Sequence, residues 1–428
     1  MPLIRAAAAA CLACSLALAL TPEQKRQNIE SFEYVWKTIR DKHWQKDPAG
    51  LNWQAVHDEL RPAIEKADTM EAARAVMSGM LARLHQSHFG IIPGDLYTQV
   101  DGGHSRGGES TTGIDVRVVN DQALVTSVDP DSGAAAAGVR PGWTIVKIAG
   151  ADVAPMLEKT AEAYRNSSTL DLMLRRTILS KLEGKEGDSI QIEFVEGKDQ
   201  PAAVRIVHGK PRGVLTRLGY LWPSHVWIET RRIQNIGYIK FNMFLDPSHV
   251  MSAFGDAVAS CLRCDGFVID VRGNPGGLGV MAMGMAGWFI DQQDQRLGTL
   301  FLRDSTLKFV VFPRAEVFRG PLAILVDGSS ASTSEILAGG LKDLGRARIF
   351  GTRTASAALP SFIEVLPNGD GFQYAIANYI SEGGKPLEGI GVAPDVETPI
   401  TRKALLEGKD PALDSAVGWI QSIKKPAN

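Results

Sequence analysis

The chain has 428 residues, 44% hydrophobic and 22% charged, a length that predicts roughly two or three domains of ordinary soluble composition. The formal net charge is −2, and without a basic stripe the chain lacks the electrostatic footprint of a nucleic-acid binder. Past the N-terminal segment, no apolar run is long enough to span a bilayer.

Residues 1–19 have the shape of a secretory signal peptide: Arg5, a short Ala/Leu/Cys core, and Ala17-Leu18-Ala19 as an A-x-A cleavage site. The expectation is an exported protein, periplasmic or extracellular, with no membrane span in its mature part. Cys11 and Cys14 leave a lipid anchor as the minor alternative. Cys261 and Cys264 survive cleavage. No second cysteine pair and no His cluster accompany them, which disfavours zinc. In an oxidising compartment this C-x-x-C reads as a local disulfide or two buried thiols.

Residues 22–98 read as an N-terminal helical domain. Ile29, Phe32, Val35, Trp36 and Ile39 recur at helical spacing, as do Ala72, Ala75, Val76, Met80 and Leu84. A Gly-rich link follows at 101–108. From Thr112 the period changes to two, in 113–118 and 123–128. A short Ala-rich helix over 133–137 and strands at 145–148 and 189–194 complete the pattern. This succession, most specific from Ser132 to Gly150, resembles a PDZ domain over 107–210. The resemblance implies that a peptide adds as a strand beside Gly113, Ile114 and Asp115, its terminal carboxylate held by backbone N–H groups. One departure is a helical insertion, about 156–183, that covers or extends the peptide groove.

Over 214–402 short apolar strands alternate with helices: 237–241, 266–270, Leu322 to Val326, and 347–350. Strands apolar throughout predict an α/β layer with both sheet faces covered. Residues 403–428 read as a C-terminal helix and tail. A phosphate cradle is excluded, since the chain contains no G-x-x-x-x-G-K-[ST] run.

Four places carry chemistry, and each has a plain structural reading beside it. Ser332 opens the helix after strand 322–326, where unpaired N–H groups and the helix dipole favour a nucleophile and an adjacent oxyanion. Ser332 and Glu335 also spell an ordinary S-x-x-E capping box. Asp270-Val271-Arg272-Gly273-Asn274-Pro275-Gly276-Gly277 follows a buried strand, and its glycines leave N–H groups unshielded; it also reads as a tight strand-to-helix turn. His88, preceded by Ser87, is a candidate base or a packed helix-end histidine. Glu388, in 386–395, is a candidate site carboxylate or a turn residue.

Taken in order, the signal, helical lead, PDZ-like unit, D-x-R-x-N-P-G-G, S-A-S-x-S-E and E-G-x-G-V-x-P-D resemble the tail-specific, or C-terminal processing, serine proteases over nearly the whole mature chain. The resemblance implies a multidomain α/β protein with a crotonase-like α/β protease core, and it makes Ser332 the nucleophile. Many members use a Ser-Lys dyad, but Ala357 stands where the lysine would be. Arg353 cannot serve as base, since a guanidinium stays protonated, and Lys342 lies ten residues along the helix from Ser332. Ser87-His88, Ser332 and Glu388 instead resemble the tricorn-like branch. The expected roles are His88 as base, Ser87 orienting its ring, and Glu388 positioning groups or binding the substrate's free terminus. Thr333 and an N–H of Gly276 or Gly277 are expected to form the oxyanion hole. The substrate is a protein or peptide, with no metal or organic cofactor. Two alternatives on the same fold are a catalytically inactive PDZ-bearing scaffold and an apolar-ligand carrier, because interphotoreceptor retinoid-binding protein contains related modules.

Overall fold

A computed structural model describes residues 20–94, 110–165, 167–221 and 223–424. The signal-like segment 1–19 and the Gly-rich link at 101–108 lie outside the described residues.

The N-terminal unit is built from α1 (Pro22–Lys42), α2 (Trp53–Glu65) and α3 (Met70–Ala82). Thr21 and Gln24 cap α1 reciprocally, at 3.2 and 2.9 Å, which satisfies two N–H groups the helix itself leaves open. Phe32, Val35 and Ile39 of α1 and Ala73, Met77 and Met80 of α3 are fully buried. They share one core with Leu366, Phe372 and Tyr374 from near the end of the chain. The helical character expected over 22–98 ends at α3. Residues Gly90–Ile92 form strand β1, paired antiparallel with Gln373, Phe372 and Gly371. Ser87 and His88 therefore sit at the corner where the helices hand over to a sheet.

The second unit comprises β2 (Ile114–Val119), β3 (Gln122–Val128), α4 (Gly133–Ala136), β4 (Thr144–Ile148), β5 (Ala151–Asp152), α5 (Val153–Ala163), α6 (Leu170–Lys181), β6 (Ser189–Val195) and β7 (Pro201–Val207). The sheet runs β2-β3-β4-β6-β7, antiparallel throughout, with β5 added to β4. The segment read as one helical insertion is two helices. Leu157 of α5 and Leu174 and Ile178 of α6 close the core over Val116, Val125, Ile192 and Phe194. Helix α6 packs against β2, the edge strand of this sheet.

The third unit contains a hairpin, β8 (Val214–Thr216) and β9 (Ser224–Val226), then β10 (Ile228–Ile233), β11 (Ile236–Phe241), α7 (Pro247–Ala259), β12 (Gly266–Asp270), α8 (Gly279–Ala286), β13 (Arg296–Phe301), β14 (Thr306–Val310), β15 (Leu322–Val326), α9 (Thr333–Asp343), β16 (Arg348–Gly351), β17 (Ser361–Val365), β18 (Gly371–Ala375), β19 (Asn378–Ser381), β20 (Val396–Glu397), α10 (Arg402–Leu406) and α11 (Pro411–Lys424). Its main sheet has the order β10-β11-β12-β15-β16-β20, parallel except for edge strand β10. Strands β12 and β15 are buried along their whole length. That follows from two covers. Helices α7, α8 and α9 pack Phe254, Met285 and Leu337 on one face, and α11 packs Ala412, Ala416 and Ile420 on the other. The carboxyl ends of adjacent β12 and β15 release the two Gly/Ser-rich loops, at the sheet edge where open α/β folds place ligands. Cys261 and Cys264, in the turn between α7 and β12, are joined as a disulfide.

Candidate active site

Ser332 is the N-cap of α9, with φ 55° and ψ −116°. This is the first central position of a type II′ turn, which glycine normally fills. The loop is held there from several directions. Ala331 N–H donates to the Asn274 carbonyl at 3.1 Å, and Ser334 Oγ donates to the same oxygen at 2.8 Å. Ser330 Oγ donates to the Val271 carbonyl at 2.8 Å, and Asp327 Oδ1 accepts from Gly273 N–H at 2.9 Å. The loop after β15 and the loop after β12 are thus one hydrogen-bonded body.

The glycines of the second loop lie against the serine. Gly276 has φ +100°, and a Cβ there would fall 2.7 Å from Ser332 Cβ and 2.9 Å from Thr333 N. Gly276 N–H is occupied, donating to Asn274 Oδ1 at 3.0 Å. Gly276 O accepts from Phe244 N–H at 2.8 Å, and Gly277 O accepts from Thr333 Oγ1 at 2.8 Å. Buried Asn274 anchors the loop by donating Nδ2 to the Phe241 carbonyl at 3.0 Å.

On the other side of Ser332 lies a bridging segment, residues 354–358. Ser332 N–H donates to the Ala357 carbonyl at 2.8 Å. The segment's own N–H groups are all spoken for. Thr354 donates to Val392 O at 3.2 Å and Ala355 to Ser330 O at 2.9 Å. Ser356 and Ala357 donate to the Glu335 carboxylate, each at 2.9 Å. Ala358 donates to Glu388 Oε2 at 3.1 Å. Ser332 and Glu388 are therefore docked on successive residues of this bridging segment.

Glu388 grips Ser87, accepting its N–H at 2.6 Å and its Oγ–H at 2.8 Å. Ser87 Oγ lies 2.6 Å from His88 Nδ1. A hydroxyl has one proton. Given to an ionised Glu388, it leaves Ser87 Oγ as acceptor for Nδ1–H, so the lone pair of the neutral ring resides on Nε2. Burial pushes His88 down to about 4, which keeps the ring neutral at ordinary pH. Burial also raises Glu388 above the usual carboxylate range, against the opposing pull of its Ser87 and Ala358 donors.

The structure thus brings Ser332, Thr333, Gly276 and Gly277 into one cluster and Ser87, His88 and Glu388 into another, both docked on residues 357–358. Ala357 is buried, and no lysine amine stands at its position. Lys342 points elsewhere, donating to Ala393 O at 2.7 Å and pairing with Asp395 at 2.8 Å. Arg353 donates to Ile390 O.

The residues expected to hold a peptide lie apart from these clusters, in and around β2. Gly113, at φ +81°, donates to Thr111 Oγ1 and its carbonyl accepts from Asp129 N–H. Ile114 is buried in the core. Asp115 is paired with Arg117 and with Arg175 of α6, both at 2.9 Å. Arg117 also pairs with Asp327 at 2.7 Å, and Arg175 donates to Gly273 O at 3.1 Å. These two arginines, which the residue pattern did not single out, tie the β2 edge to both site loops. Among the described residues no group of His, Cys, Asp and Glu is arranged to hold a metal, and no helix is long and apolar enough to cross a membrane.

Residues 235–398 match Peptidase family S41, and residues 22–82 match the Tricorn protease C1 domain. A probable CtpA-like serine protease of Staphylococcus haemolyticus is 25% identical over 384 residues, covering 88% of this chain and 66% of that relative. A carboxyl-terminal-processing protease of Picosynechococcus is 25% identical, covering 90% of this chain and 85% of its own length. The chain spans just under two thirds of the staphylococcal relative. Among solved structures, a photosystem II D1 C-terminal processing protease aligns with a TM-score of 0.57 at 21% identity, covering 92% of this chain and 99% of that one. The similarity to Peptidase family S41 thus lies over residues 235–398, and the similarity to the Tricorn protease C1 domain precedes it in the chain.

Proposed function

We propose that the chain is an exported serine endopeptidase of the tail-specific type, working through a Ser332–His88 pair with Ser87 and Glu388 behind the histidine. The observation that carries this is the hydrogen-bonded line His88 Nδ1–Ser87 Oγ–Glu388, at 2.6 and 2.8 Å, which is joined to Ser332 through the backbone of residues 357–358. A neutral imidazole with its free lone pair on Nε2 is the state a general base requires.

Ser332 Oγ attacks the scissile carbonyl carbon as His88 Nε2 takes its proton. The C–N bond then breaks, and the proton passes to the departing amine, leaving an acyl-enzyme ester. Water attacks the ester, His88 again accepting a proton and returning it to Ser332 Oγ, and the new carboxylate leaves. Thr333 N–H at the start of α9 faces the substrate oxyanion. The second donor assigned is Gly277, because Gly276 N–H is committed to Asn274. Each such donor contributes on the order of 100- to 1,000-fold in rate.

The β2–β7 unit serves as a PDZ-like recruiter, taking a peptide as an added strand on the β2 edge at Gly113–Asp115. Its contact with the site through Arg117 and Asp327 supports coupling between peptide and protease core. The test treats the chain from residue 20 onward with a fluorophosphonate serine probe and an unfolded protein substrate. Labelling and cleavage that vanish in Ser332→Ala and His88→Ala are the expected result. A wild type that neither labels nor cleaves overturns the reading in favour of a binding protein.

A further inference from the structure

Glu335 is buried completely, and its carboxylate accepts four hydrogen bonds. Oε1 takes Thr354 Oγ1–H at 2.6 Å and Ser356 N–H at 2.9 Å, while Oε2 takes Ser332 N–H at 3.0 Å and Ala357 N–H at 2.9 Å. Among the described residues no basic side chain pairs with it. Thr354 cannot turn its hydroxyl away freely, because Thr354 Oγ1 already accepts Val392 N–H at 2.7 Å. A helix cap alone needs only the Ser332 bond. The other three reach the bridging segment, including Ser356 at φ 56°, a backbone setting that carries steric strain.

From this geometry we propose that Glu335 is a positioning residue, whose carboxylate locks the nucleophile and segment 354–358 into one register so that Ser332 meets the relay on Glu388. The proposal rests on the serine-protease reading above. The buried carboxylate accepts from four donors and has no acceptor to donate to, so ionisation suits it and protonation orphans one donor. At position 357 the backbone N–H is clamped by this carboxylate, in a chain that has no lysine there. The titratable groups meeting the same segment are Glu388, at Ala358, and His88 behind it through Ser87. Burial raises Glu335 to about 7, whereas His88 stands near 4. Loss of the Glu335 charge then sets an acid limb well above that of the histidine.

The test compares wild type with Glu335→Gln, Thr354→Val and Thr354→Ser. It reads kcat and KM on an unfolded protein substrate, the fluorophosphonate labelling rate from pH 5 to 9, and far-ultraviolet circular dichroism. Glutamine keeps the volume but turns an NH2 toward N–H donors. The expected result is a folded Glu335→Gln protein with kcat lowered about 100-fold, the size of loss that small misplacements of catalytic groups produce. KM is unchanged, and the labelling limb near neutral pH disappears. Thr354→Val lowers kcat in the same sense and Thr354→Ser restores it. A Glu335→Gln enzyme that labels at the wild-type rate, or loses rate only in proportion to its unfolded fraction, overturns the proposal while leaving Ser332 and His88 untouched. Failure of the wild type to label or cleave overturns the protease reading, and this one with it.

Discussion

Glu388 holds Ser87 by two bonds, N–H at 2.6 Å and Oγ–H at 2.8 Å, across 301 residues of sequence. The grip fixes which way the serine hydroxyl points, and the hydroxyl in turn fixes which nitrogen of His88 carries the proton. Ser87→Ala is therefore expected to lower kcat by up to about 10,000-fold, as loss of the correct tautomer does in other serine hydrolases. Glu388→Gln should act in the same direction. Ser87→Thr keeps the hydroxyl and should retain most of the rate. Single-turnover cleavage of an unfolded protein substrate measures all three.

His88 makes a stability prediction with a definite sign. Its folded pKa, about 4, lies below the ordinary 6.5. Between those values the unfolded chain binds the proton and the folded chain does not, so stability falls as pH drops through this window. Glu335 and Glu388 are raised instead. Their stabilising contribution is present at low pH and is lost as pH rises through their folded values. On going from pH 7 to pH 5, the urea midpoint of wild type should fall relative to that of His88→Gln, which keeps the opposing contribution of Glu335 and Glu388 but lacks the histidine. An equal difference in both proteins would remove His88 from this account.

Gly276→Ala tests the closeness of the two loops. Alanine at φ +100° is strained, and its Cβ would press on Ser332 Cβ at 2.7 Å. The expected result is destabilisation of about 1–3 kcal/mol and a labelling rate about 100-fold lower, from displacement of the nucleophile. Denaturant melts and probe kinetics on the same preparation separate the two effects.

Lys342→Met is expected to leave kcat unchanged. Its amine is held by Ala393 O and Asp395 at the far end of α9, and both partners of the ion pair are 31% exposed. Loss of that pair should cost at most about 1 kcal/mol in stability. A collapse of activity would mean that this lysine is the base and that the His88 assignment is wrong.

Much of this architecture was legible in local pattern. Strands 266–270 and 322–326 emerged at their observed limits because a strand buried on both faces leaves an uninterrupted apolar run. The turn that places Ser332 at a helix start was legible because it is local. What escaped is non-local. Gly90–Ile92 was absorbed into the helical lead, since its reason for being a strand is residues 371–373. Glu335 read as half of a capping box, because three of its four donors belong to residues 354–357. Arg117 and Arg175 carried no motif at all. Their meaning lies in Asp115, Asp327 and Gly273, which only the fold assembles.

Three non-glycine residues near the site, His88, Ser332 and Ser356, have left-handed φ values of 60°, 55° and 56°. Glycine would adopt each of these settings without steric penalty, where an L side chain carries about 1–3 kcal/mol of strain. Ser332→Gly should thus give a protein that melts higher than its parent and is catalytically dead. Random change that favours sturdiness would erode this chain's chemistry first. An enzyme of this build keeps its activity only while something outside the folding equilibrium continues to select for it.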